Sequence, residues 1–311
     1  MPTKTKQTVP LRSKIDLAMK NMGPLTPLPQ VARRLSVLCL EEVMNHLEGT
    51  IKGEDQEHLH QMRVASRRLR AALRVFAPCY PKTINGAVER ARNITQLLGA
   101  VRDLDVRVNH LENLRPLVDK KADRAIDLLV FHTNLQREEA HINLVRGLTQ
   151  VKQGNWYSWM CKALSGTKFP EGLDWYPSSR ALSAIDANRH FVTSYSFLAR
   201  VESAITGQHA FRITIKKYKY SLELLKFCFK SGIDEVILQC KTVQDDLGLM
   251  HDYDVLYEYL KQTRTRTMPK PIRRGLTDLR LTLERLRHEG YIVFCEHLDP
   301  FLEADPMEFE K

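Results

Sequence analysis

HQMRVASRRLRAAL at residues 60–73 and HAFRITIKKYKYSL at residues 209–222 lie 149 positions apart, as do LGAVRDLDV at 98–106 and LGLMHDYDV at 247–255. Two separate segments thus agree on one register without a gap, with nine identities in the 31 positions of 60–76 and 98–111. Self-similarity at a fixed offset is the mark of a duplicated unit. An offset of 149 is far too long for a solenoid repeat and suits a bundle of about four helices per copy. The pattern predicts an all-α fold: two four-helix bundles related by internal duplication and pseudo-twofold symmetry.

Working outward, the 14 Gly and 14 Pro cluster between long stretches of helical periodicity, and no convincing period-two strand appears. Residues 1–27 read as a flexible basic tail. The first half spans 28–150, with helices at 28–48 (Val31, Leu35, Leu38 and Val43 on its apolar face), 56–77, 83–113 and 117–150. Gly49 to Gly53 separate the first two, and Pro78 and Pro81 stop the second. Residues 151–178 carry all three tryptophans (Trp156, Trp159, Trp175) and read as a linker with a short helix, its aromatics packing at the junction. The second half spans 179–295, with helices at 179–205, 209–230, 233–262 and 270–294. An acidic surface tail covers 296–311.

His60, Arg63, Arg67 and Arg70 fall at i, i+3, i+7 and i+10, as do His209, Arg212, Lys216 and Lys219. That spacing sets four side chains along one helical face roughly 15 Å long. Met62, Leu69, Leu73 and Phe76 occupy a face about 100° away, so each helix packs one side and leaves a basic stripe open. Arg67, Arg68 and Arg70 meet Lys216, Lys217 and Lys219 in the alignment, keeping charge while changing residue type. Rows of like charge repel one another, and keeping such a row twice predicts a negative ligand. Phosphate suits both donors: guanidinium offers a planar fork, ammonium a compact charge. His60 and His209 either pack at the helix starts or donate to a phosphate oxygen, more strongly when protonated.

In the second motif, Gly99 and Gly248 are expected to permit close helix approach. Asp103, Asp105, Asp252 and Asp254 either coordinate a metal or orient the arginines across the bundle. Orientation is the favoured role, because half-buried arginines need partners. His251 beside Asp252 is the pairing a metal-dependent phosphohydrolase uses. The matched Arg102–Asp103 lacks the imidazole, however, and H-E-x-x-H, P-loop and nucleophile-elbow motifs are absent from the sequence. No catalytic residues, metal site or cofactor are therefore expected.

At these residues the sequence resembles the CHAD family, the conserved histidine α-helical domain. The resemblance rests on H-x-x-R-x-x-x-[RK]-[RK]-x-[RK] (60–70, 209–219) and L-G-x-x-x-D-x-D-V (98–106, 247–255), and spans about 28–295. It implies two four-helix bundles around a basic central groove or pore that binds inorganic polyphosphate. Carried over, His60, Arg63, Arg67, Arg68 and Arg70, with His209, Arg212, Lys216, Lys217 and Lys219, would line it. Arg102, Asp103, Asp105, His251, Asp252 and Asp254 would support it. The chain departs from the family in His251, where arginine or a polar residue is expected, and in the weakly basic ANRHFVTSYSFLARVESA (187–204). Some relatives are fused to a triphosphate-hydrolysing domain; the length here suggests a stand-alone module.

The 47 Lys and Arg against 37 Asp and Glu give a net charge of +10, which favours anionic partners. Single-stranded nucleic acid is the weaker candidate. Tyr218 and Tyr220 interleave with the second stripe, but Leu69 and Ala71 stand at the matched positions, so no stacking platform repeats. The six scattered cysteines exclude a disulfide framework or zinc ribbon and fit a reducing cytosol. The polar N-terminus lacks a signal-peptide core, and no window is apolar enough to cross a bilayer. A cytoplasmic binder of polyphosphate or another polyanion, associated in one reading with polyphosphate granules, is the expectation.

Overall fold

The computed structural model describes residues 11–23, 25–53, 55–168, 176–263, 268–303 and 308–309, and among them the chain is all-α apart from one minimal strand pair. Eleven helices occur among the described residues: α1 (Leu11–Lys20), α2 (Leu28–Asn45), α3 (Leu47–Lys52), α4 (Gln56–Val75), α5 (Asn85–Leu114), α6 (Asp123–Gln153), α7 (Trp156–Ser165), α8 (Pro177–Ala199), α9 (Ile205–Leu225), α10 (Ile233–Gln262) and α11 (Lys270–Glu303). Two short strands, β1 (Phe229–Ser231) and β2 (Glu308–Phe309), pair antiparallel.

Local chemistry sets the ends that matter to the site. Asp55 caps α4, its carboxylate accepting the Glu57 N–H at 2.8 Å, which satisfies one orphan donor of the first turn. Gly53 ends α3 with φ +68°, a conformation that glycine adopts without steric cost. Gly232, at φ +79°, turns the chain from β1 into α10. Along α4, Leu59, Met62, Ala65, Ser66, Leu69, Ala72 and Leu73 are buried at helical spacing, and the basic residues fall between them.

Two groups of four helices pack in the same order. In the first, α2 lies on α4, α4 on α5 and α5 on α6; in the second, α8 lies on α9, α9 on α10 and α10 on α11. The groups meet where α4 touches α9 and where α6 touches α11. The larger core includes the fully buried Phe76, Phe211 and Phe294. A smaller core joins the far ends of α5, α6, α10 and α11, through Leu111, Ile126, Leu256 and Leu279 among others. Arg107 of α5 stacks 4.2 Å from the Tyr259 ring of α10, clasping the same ends together.

Several boundaries differ from expectation. The first helix breaks at His46, not at Gly49, which lies inside α3 with the His58 ring against it; a Cβ there would fall 2.4 Å from that ring. Within the expected tail, residues 11–20 form a helix that packs on α2, burying Ile15 and Ala18; residues 1–10 lie outside the described set. Pro116 delays α6 to Asp123 through two short 3-10 turns. The helix expected over 179–205 spans Pro177–Ala199, and that expected over 209–230 runs from Ile205 to Leu225. The last helix continues to Glu303, so Glu296, Asp299 and Glu303 belong to it, with Asp299 paired to Arg200. Asp305 and Glu310 of the expected acidic tail lie outside the described residues, and Glu308 belongs to β2. The linker contains α7, where Trp156 is buried and the Trp159 ring carries the Arg90 guanidinium at 4.2 Å; Trp175 is outside the described residues.

Candidate functional site

The two basic stripes meet where α4 and α9 cross. Arg63 and Arg67 of α4 are close enough to Arg212 and Lys216 of α9 to shift their ionisation, and all four are half-buried. Burial, then repulsion from Arg212, Arg67 and Arg63, drags the Lys216 ammonium down from 10.5 to about 7. Asp252 opposes that shift without overcoming it. Among the described residues, Arg67, Arg212 and Lys216 form no ion pair within 4.0 Å. The buried Nε atoms of Arg63 and Arg212, which match in the repeat, both lack a hydrogen-bond partner. A cluster of this kind carries an electrostatic cost in the free protein that a bound anion relieves.

The aspartates act as arginine partners, in two layers. Asp103, on α5, receives Arg63 at 2.9 Å. Its counterpart Asp252, on α10, forms no such pair with Arg212; its Oδ2 instead faces His110 Nε2 at a weak 3.4 Å. Deeper in each group, Asp105 takes Arg137 of α6 at 2.5 Å, and Asp254 takes Arg287 of α11 at 3.0 Å. Arg287 also donates to Gln208 at the start of α9. These two pairs tie the outer helices to α5 and α10 and thereby hold the helices that carry the second motif. Among the described residues, no group of three or more His, Cys, Asp or Glu could hold a metal ion.

The glycines of the second motif give room for side chains, not for closely approaching helices. A Cβ on Gly99 would lie 2.9 Å from Arg63 Nη1, so the Arg63 guanidinium passes over α5 at the one residue without a side chain. At Gly248 the equivalent arginine, Arg212, is 3.9 Å from such a Cβ, a looser version of the same passage.

The histidines behave differently from a row of phosphate-binding cations. His60 is held below its usual range by burial, then by Arg102, with Arg67 and Arg63 adding to the effect. Burial and the adjacent Arg212 and Lys216 do the same to His209, whose ring centroid lies 4.7 Å from that of His251. His251 is pushed down to about 4, by burial first and then by Arg212 and His209. All three imidazoles are neutral at pH 7 in the free protein, so any contact they make with phosphate is from a neutral ring. Protonation strengthening such a contact requires the anion to be present first.

Not every expected cation joins the cluster. Arg68 lies about 100° around α4 from Arg67, and its Nη1 donates to both oxygens of Glu42 on α2, at 2.9 and 2.7 Å. With side chains only 16% and 10% exposed, that is an internal ion pair, not a ligand contact. Lys217 is exposed on the corresponding side of α9, away from the stripe face. Lys219 is on the stripe, with Glu223 at 3.8 Å and the Tyr220 ring 5.9 Å from its ammonium. Arg70 is exposed and continues the α4 row, while Arg102 stands beside His60.

Arg74, Arg137 and Arg287 were not picked out from the sequence, and Tyr220, noted there only as an aromatic that does not repeat, stands against Arg67. Arg74 extends the α4 spacing and was legible as such. Arg137 and Arg287 stand 150 positions apart, one residue off the shared register, so a gapless comparison passes over them.

The sequence model of the CHAD domain matches residues 37–261. No curated protein matches the chain in sequence. Among solved structures, the crystal structure of the CHAD domain from the plant Ricinus communis is similar, with a TM-score of 0.70 at 21% identity, over 92% of this chain and 96% of that one. PptA from Streptomyces chartreusis is similar with a TM-score of 0.69 at 15% identity, over 88% of this chain and all of that one. At these identities the structural likenesses establish the fold, and the sequence match, which covers both motif pairs, establishes the lineage: the chain belongs to the CHAD-domain family.

Proposed function

We propose that this protein is a non-catalytic binding module for inorganic polyphosphate, held where the basic rows of α4 and α9 face each other in a shared groove. The observation that carries the reading is the convergence of Arg63, Arg67, Arg212 and Lys216 at the crossing, where burial first and then the three guanidinium charges hold Lys216 near 7. A linear phosphate chain replaces that mutual repulsion with attraction, and does so without base recognition. The two groups of four helices are read as duplicated copies related by a pseudo-twofold axis at the α4/α9 crossing. The shared 149-residue register and the matched Asp105–Arg137 and Asp254–Arg287 pairs support that reading. A place in the cytoplasm, at polyphosphate granules, follows from the same ligand.

Capture on immobilised long-chain polyphosphate, followed by competition, tests the assignment. Free polyphosphate is expected to elute the protein at a phosphate concentration where single-stranded RNA does not. Elution by RNA at equal phosphate would transfer the assignment to nucleic acid. Incubation with polyphosphate and divalent metal is expected to release no phosphate; steady release would make the protein a hydrolase instead.

A further inference from the structure

The basic row on α4 runs beyond Arg70. Arg74 follows Arg63, Arg67 and Arg70 at spacings of four, three and four, which keeps them on one face for about 16 Å. On α9 the same positions are Arg212, Lys216, Lys219 and Glu223, so the sign reverses at the last step. The Glu223 carboxylate lies 3.8 Å from Lys219 and close enough to Arg68 of α4 to strengthen its charge. At that end of α9 the protein supplies its own anion.

The α4 end has none. Arg70 and Arg74 are exposed and form no ion pair within 4.0 Å among the described residues. The charges felt by Arg70 are those of Arg92 and Arg67, which repel it, and Glu89. Arg74 is repelled by Arg70 and has the Tyr220 hydroxyl nearby; Tyr220 in turn stands against Arg67. Among the described residues, the one ion pair of Arg92, on α5, is with the exposed Glu89 at 3.5 Å, a surface contact worth little. Positive charge is therefore continuous from the crossing to Arg74 and Arg92, and is interrupted on α9.

We propose that a bound phosphate polymer leaves the α4/α9 crossing along α4, over Arg70, Arg74 and Arg92, and that Glu223 closes the corresponding path along α9. This rests on the polyphosphate reading above and adds a direction to it. A short oligophosphate fills the crossing alone; a long chain also engages the exit row. Chain-length preference thus resides in Arg74 and Arg92, outside the duplicated motif.

The test uses the full chain, with tripolyphosphate and long-chain polyphosphate as probes in a calorimetric titration. Arg74→Glu with Arg92→Glu is expected to weaken long-chain binding about tenfold, through lost phosphate contacts, and to leave tripolyphosphate binding as it was. Glu223→Lys, which opens the α9 path, is expected to tighten long-chain binding. Arg33→Glu with Arg34→Glu, an equal charge change on exposed residues of α2, serves as the control. Equal loss in the control and the exit-row variant would reduce the effect to net charge and overturn the path. Unchanged long-chain affinity in the exit-row variant would overturn it as well. Absence of binding to either probe by the unaltered protein is a separate result, which would remove the polyphosphate reading itself.

Discussion

Lys216 offers a test that needs no ligand. An ammonium that ionises at 10.5 in the unfolded chain and at about 7 in the folded one binds its proton more weakly when folded. Below pH 7 Lys216 is charged in both states and the folded state carries the whole cost, on the order of 5 kcal/mol by linkage, and less where relaxation and water screening intervene. Between pH 7 and 10.5 the unfolded chain retains a proton the folded one has released, so stability rises with pH across that window. Lys216→Met keeps the length of the side chain and removes the charge. Urea unfolding at pH 6.5, 8 and 9.5 is the assay, since guanidinium would screen the effect being measured. The variant is expected to be more stable than the original protein at pH 6.5 by about 1–3 kcal/mol, and to lose most of the rise toward pH 9.5. A Lys216→Met protein less stable at pH 6.5, or an original protein flat across the window, would refute the crowding argument.

Arg68→Ala leaves the buried Glu42 carboxylate without its partner and is expected to cost about 3–5 kcal/mol in urea unfolding. The same substitution should leave polyphosphate affinity within about twofold once the protein is folded, because Arg68 faces α2, not the crossing; titration at low temperature checks this. Gly99→Ala places a methyl group where Arg63 passes and is expected to weaken polyphosphate binding several-fold with little change in stability. Gly248→Ala, with 3.9 Å of clearance, should stabilise the protein by about 0.5–1 kcal/mol through helix propensity and leave binding unchanged. Polyphosphate binding at pH 8 should take up close to one proton as Lys216 regains its charge, and binding by Lys216→Met at the same pH almost none; calorimetry in buffers of different ionisation enthalpy reads the difference.

Helix class and order were legible because apolar spacing and proline placement speak for themselves over 20 to 30 residues. α10 matches its expected span of 233–262, and Pro78 and Pro81 mark the end of α4 as anticipated. Boundaries failed where the signal was tertiary. Gly49 looks like a helix breaker, yet it lies within α3, where the missing side chain leaves room for the His58 ring. α1 was invisible because it is only ten residues long, and Ile15 and Ala18 gain their burial from tertiary contacts, chiefly with α2. Within the site, the stripe was readable from spacing alone, and Arg63, Arg67, Arg212 and Lys216 do converge. Arg68 was misassigned because a run of basic residues does not reveal which of them faces a carboxylate 26 positions away, here Glu42. The aspartate partners Arg137 and Arg287 were missed for the same reason: they come from helices outside the motif, so spacing within it says nothing of them.

A titration of the protein with long-chain polyphosphate at 50 and 200 mM salt, alongside Arg67→Glu with Lys216→Glu, addresses the central claim most directly. Four phosphate contacts at the crossing and three along the exit row predict a slope of about −5 in log affinity against log salt, roughly a thousandfold loss between the two conditions. The paired charge reversal should keep the fold, since each new carboxylate faces Arg63 and Arg212, and should abolish most of both the affinity and the slope. Equal affinity and equal salt slope in the two proteins would place the polyanion elsewhere and contradict the account.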